Sequence, residues 1–145
     1  MVNRSLKTLS LRMDHHLKTA FIVAKWLEKH PKVAQVLHPA LPSHPSHKIA
    51  LSQSYGHSGI FSFVIKDANL EKIEKFFQSL KVFMLIESPG GFESFMRSPV
   101  MTTYKDFSEE ELKGLNITQG LVCVSIGLED AEDLVNDVRE ALKEV

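Results

Sequence analysis

The run GLVCVSIG, Gly120 to Gly127, leads straight into LEDAEDLVNDVREAL, and the two stretches have different periods. Side chains alternate along a strand. Val122, Val124 and Ile126 therefore share one face, and Leu121, Cys123 and Ser125 the other. The next apolar positions, Leu134, Val135, Val138, Ala141 and Leu142, recur at helical spacing. Glu129, Asp130, Glu132 and Asp133 crowd the start of that helix, where the macrodipole favours them. The β-branched face is expected to meet helices. If helices cover only that face, Cys123 looks out from an open one, which would meet another domain or subunit. Helices on both faces and an ordinary buried cysteine carry equal weight from these residues alone.

The same alternation of periods runs through the whole chain. From Leu6, the positions Leu9, Met13, Leu17, Ala20, Ala24 and Leu27 mark one face of a long helix, stopped by Pro31. Phe21, Ile22, Val23 and Trp26 widen its apolar stripe, which predicts packing on more than one side. A short strand follows from Lys32 to about His38, then a proline-rich loop and a brief helix, HKIALSQ. IFSFVIK, Ile60 to Lys66, is a clear strand, and Asp67 or Asn69 caps the amphipathic helix LEKIEKFFQSL. KVFMLIES, Lys81 to Ser88, is a further extended run ending at Pro89-Gly90-Gly91. FESFMRSPVMTTYKDF is loop-like, with a short strand near Val100. Ser108 with Glu111 has the capping-box spacing. The order predicts an α/β (α+β) two-layer sandwich: a sheet of about four strands with helices on one face.

With 145 residues the chain is the length of one domain, 1–145, and its 43% hydrophobic content is too high for disorder. A net charge of −1 creates no field toward nucleic acid or anionic lipid. The single cysteine excludes an internal disulfide. The N-terminal stretch has no apolar signal-peptide core and no run approaches a membrane span, so a cytoplasmic location is expected. KIEKFFQSLK reads as a core-packing helix rather than a membrane anchor.

Seven histidines invite a metal site, with His38, His44 and His47 the nearest in sequence. A proline-rich loop without Cys or acidic ligands is a poor scaffold for one, and none is expected. His15 and His16 read as interface or surface residues. Cys123 would be a nucleophile only beside a base in an electropositive setting.

Six stretches, LKTLSLRMDHHLKTA, LPSHPSH, FSFVIK, ESPGGFES, PVMTT and LVCVSIGLEDAEDLV, stand in a collinear order. In that order and spacing they resemble the C-terminal domain of the pyridoxal-phosphate enzymes of cysteine and methionine metabolism, the transsulfuration family. The resemblance is nearest to the cystathionine gamma-lyase branch and covers essentially the whole chain. It implies a mainly antiparallel sheet with helices on one side, the other side closing over an active site. It also implies that the large domain, with the cofactor-bearing lysine, is absent from 1–145, so that this chain alone holds no cofactor. SYGHSGI echoes a motif that follows the family's lysine, but it falls in a different domain and reads as coincidence.

By resemblance, Ser88 helps hold a substrate carboxylate and Glu87 lies near the substrate side chain. Pro89 stands where the family usually has leucine, removing a backbone donor. Cys123 stands where the family has an arginine that pairs with the substrate carboxylate through a two-donor fork. Losing such a pair costs roughly 2–5 kcal/mol. Thr103 stands where the family has histidine. The expectation is a C-terminal domain without intact catalytic residues, whose exposed sheet face binds a copy of itself or a full-length relative. One alternative is a piece of an active carbon–sulfur lyase acting on cystathionine. Another is a small amino-acid-binding regulatory module.

Overall fold

The computed structural model describes residues 2–86 and 89–145. In chain order the elements are α1 (Val2–Leu6), α2 (Leu9–Leu27), β1 (Val33–Leu37), α3 (His47–Gln53), β2 (Ile60–Ile65) and α4 (Leu70–Ser79). There follow β3 (Met84–Leu85), β4 (Phe95–Arg97), α5 (Glu109–Gly114), β5 (Leu121–Ser125) and α6 (Ala131–Ala141), with a final 3-10 turn, Leu142–Glu144.

The strands form one mixed, mostly antiparallel sheet in the order β1-β2-β5-β4-β3, with only β3 and β4 parallel. The sheet has five strands where about four were expected. Two of the strands lie elsewhere than expected. The run Lys81 to Ser88 was expected to be one strand, but among the described residues only Met84 and Leu85 pair. The amides of Lys81, Val82 and Phe83 instead donate to the carboxylate of Asp137 on α6, at 2.8, 2.9 and 2.9 Å. A backbone turned toward that carboxylate has no amides left for a ladder. The short strand expected near Val100 is β4, and Val100 itself lies in the turn that follows Pro99.

The core lies between the sheet and three helices. Phe61, Phe63 and Ile65 of β2 and Val122 and Val124 of β5 point into it. Val23, Ala24 and Leu27 of α2, Ile73, Phe76 and Phe77 of α4, and Leu134, Val138 and Ala141 of α6 close over them. Val122, Val124 and Ile126 are all buried, as their branched shape predicts. Ile60 on the opposite face is 46% exposed, and Ser62, Val64, Leu121 and Cys123 are half-buried. Helices therefore cover one face only, which resolves the alternative left open by the alternation.

The first helix departs from expectation twice. It is broken at Lys7 and Thr8 into α1 and α2, and α2 buries a single stripe from His16 to Leu27. Phe21 and Ile22 remain exposed, so among the described residues α2 is not packed on a second side. The caps follow the sequence more closely. The Asn69 side chain accepts from the Lys72 amide at 2.9 Å, while Asp67 adopts a positive φ in the preceding turn. Ser108 and Glu111 form the reciprocal capping box.

Candidate functional site on the open sheet face

Three side chains stand in file across the open face. Ser62 of β2 is in register with Cys123 of β5, and Cys123 is in register with Arg97 of β4. Neighbouring strands lie ~4.8 Å apart, so the row is contiguous. The Ser62 hydroxyl donates to Cys123 Sγ at 3.5 Å. An Arg97 Nη donates to Thr103 Oγ1 at 3.1 Å. Together with Ser125, Ile86 and Pro89, the row lines a cavity of about 180 Å³. The cavity is largely apolar, and Arg97 is the cation in its lining.

One wall is the turn at Pro89 to Gly91. The Gly90 amide donates to Ser125 Oγ at 2.9 Å, tying that turn to β5. A side chain at Gly91 would begin 2.5 Å from the Phe95 ring, so only glycine lets the backbone cross there. Below it, the motifs FES and GLED bind each other. The Ser94 amide and hydroxyl both donate to the Glu129 carboxylate at 2.7 Å. Ser94 Oγ accepts in turn from the Gly127 amide at 2.8 Å, and the Leu128 amide donates to the Phe92 carbonyl at 2.7 Å. This knot ties the cavity wall to the turn between β5 and α6. It could have been foreseen from neither motif alone, because each supplies half of it.

The sequence candidates fall as follows. Cys123 and Thr103 are both beside Arg97, so two positions singled out separately converge on one guanidinium. Glu87 and Ser88 lie outside the described residues. Arg97 and Ser62 were missed. The signal for Arg97 was period two along Phe95-Met96-Arg97, obscured by reading that stretch as a loop. His16, expected at an interface or surface, is buried, and its Nδ1 donates to the Gly127 carbonyl at 2.9 Å. His15 Nε2 lies 3.2 Å from the Glu129 carbonyl, so both histidines clamp α2 onto the turn between β5 and α6.

The other histidines serve the backbone. His47 Nδ1 donates to the Pro39 carbonyl at 2.8 Å, and His44 Nδ1 accepts from the Ser46 amide at 3.1 Å. His38 is fully buried, edge-on to Phe61 and His57, and its Nδ1 accepts from the Ala40 amide at 3.1 Å. That bond leaves the proton of the neutral ring on Nε2. Burial above all, and then His57, pushes the His38 pKa below the usual imidazole value. The Ser58 backbone works the other way. Among the described residues no group of three or more His, Cys, Asp or Glu is placed to hold a metal ion. No helix of the described residues is long and apolar enough to cross a membrane.

Comparison with known proteins gives this geometry a context. The sequence profile of the Cys/Met metabolism PLP-dependent enzymes matches residues 1–143. Cystathionine gamma-lyase of Sus scrofa is 43% identical over 143 residues, 99% of this chain and 35% of the relative. Cystathionine gamma-lyase of Mus musculus is 44% identical over 140 residues, 97% of this chain and 35% of the relative. Cystathionine beta-lyase of Coxiella burnetii is 42% identical over 142 residues, 98% of this chain and 36% of the relative. The chain thus spans about 35% of the length of these relatives. Pyridoxal phosphate needs a lysine for attachment and a group that holds its pyridine nitrogen. The described lining of the cavity offers neither a lysine nor a carboxylate, so these residues alone do not fit the cofactor. The profile match over nearly the whole length places the chain in the family of Cys/Met metabolism PLP-dependent enzymes.

Proposed function

We propose that residues 1–145 form one substrate-side domain of a pyridoxal-phosphate-dependent carbon–sulfur enzyme of the cystathionine gamma-lyase type, without catalysis of its own. Its open sheet face and N-terminal helices bind a second chain, either a lysine-bearing relative or a copy of itself. The observation that carries this reading is the asymmetry of the sheet. One face is sealed by α2, α4 and α6, while the other holds a cavity that the described residues leave uncovered. The N-terminal helices support it. α1 buries nothing, and Val2, Leu6, Leu9, Leu11 and Met13 are all exposed. Apolar surface of that extent marks an association site.

The test is to mix the purified chain with pyridoxal phosphate and cystathionine. The expected result is no lysine-bound cofactor absorbance and no release of thiol or ammonia. Turnover by the chain alone would overturn the reading. Sedimentation should show a concentration-dependent oligomer, and a monomer at every concentration would remove the association half. The identity to cystathionine lyases favours a second reading, that the chain completes an active lyase in trans. Co-expression with the lysine-bearing remainder of a relative should then restore cleavage of cystathionine; persistent inactivity of a stable complex would count against it.

A further inference from the structure

Arg97 is half-buried on the open face, and among the described residues its partner is a neutral hydroxyl, Thr103 Oγ1. No described carboxylate lies within ion-pair distance of it. A guanidinium against apolar walls is costly to leave without an anion. Its planar head has five N–H donors, of which the bond to Thr103 uses one. The edge left over is a two-donor fork, the shape that holds a carboxylate through two parallel bonds. The surroundings keep this fork accessible. Cys123, directly across the ladder, is short, and its sulfur is engaged by Ser62 rather than by Arg97. Ile60, Ile86 and Phe95 provide an apolar flank of the same cavity.

From this arrangement we infer that Arg97 is the carboxylate-binding residue of the cavity, taking a small amino acid or similar aliphatic acid whose chain lies against Ile60, Ile86 and Phe95. The cation of the site is therefore on β4, one strand away from position 123. Thr103 is a positioning residue that fixes the guanidinium plane. The inference deepens the proposed function and rests on its reading of the open face as the side that meets substrate. Ligand binding by the chain alone, with no pyridoxal phosphate present, separates its fate from that of the lyase assays above.

The experiment is a titration of the full chain, labelled with nitrogen-15, with L-methionine and with L-methioninamide, which lacks the carboxylate. Saturable shifts are expected at the Arg97 side-chain Nε–H and at the Cys123 amide with L-methionine. Binding should be at least tenfold weaker with the amide and in Arg97→Gln. Arg97→Lys should fall between, because one point charge replaces the fork. Circular dichroism checks that each variant is folded. Equal binding of acid and amide, unchanged binding in Arg97→Gln, or no saturable shift in the parent would overturn the inference.

Discussion

Position 123 shows how much a single residue's meaning depends on its neighbour across the ladder. Replacing Cys123 with arginine, the residue the family resemblance implies there, would set two guanidiniums directly opposite each other, because Arg97 is its register partner. Like charges so placed repel, by about 0.5 kcal/mol on a half-exposed face. Cys123→Arg alone should therefore lower the urea midpoint, and adding Arg97→Gln should restore it; an unchanged midpoint in the single variant would contradict the register. His38 gives a second prediction. Its folded-state pKa lies below the usual 6.5, so between these values the unfolded chain binds the proton that the folded chain refuses. Its contribution to stability is full above the usual value and is lost as pH falls through the window beneath it. His30, whose pKa burial and then Lys32 and Arg139 also lower, acts in the same direction. Urea midpoints in His38→Tyr should vary less steeply with pH across that window than in the parent. At this scale the sequence was legible where a side chain answers to its own element. The buried trio Val122, Val124 and Ile126 was plain from alternation. Arg97 was not, since its importance lies in what stands opposite.

The start of β3 shows why an element boundary can escape the sequence. The extended run from Lys81 was expected to begin pairing at once, yet β3 starts only at Met84 because Asp137 takes the three preceding amides. A carboxylate more than fifty residues downstream in sequence decides where a strand begins, and no local pattern carries that information. Asp137→Ala would leave those amides without their acceptor and should destabilise the fold by roughly 3 kcal/mol. Asp137→Asn, which retains one acceptor oxygen, should cost less, and equal losses in denaturant titrations would argue against the backbone contacts as the cause. The helices were far more legible. HKIALSQ is α3 residue for residue, and Asn69, Ser108 and Asp130 cap their helices through local hydrogen bonds that spacing reveals. What the periodic stripe of the first helix overstated was its burial, because Phe21 and Ile22 belong to a surface this chain does not cover.

At the scale of the molecule, the N-terminal helices present one stretch of exposed apolar side chains, where Leu6 is 57% and Leu11 is 72% exposed. The double variant Leu6→Glu, Leu11→Glu should weaken self-association in sedimentation while changing unfolding stability by no more than about 0.5 kcal/mol. A large loss of stability would mean that these side chains belong to the fold of the single chain. The two-layer architecture and its open face were readable from alternating periods and from resemblance. The strand order was not, because pairing between distant segments leaves no trace in local spacing. That order has a consequence for how the chain comes off a ribosome. β5 follows β2 and β4 in the chain, yet it lies between them at the centre of the sheet. Until residue 121 has emerged, the growing polypeptide holds two half-sheets with nothing to join them, each showing an unpaired edge. Nascent chains should thus depend on chaperones until β5 has emerged, and a premature stop before β5 would leave two fragments of a fold rather than a smaller one.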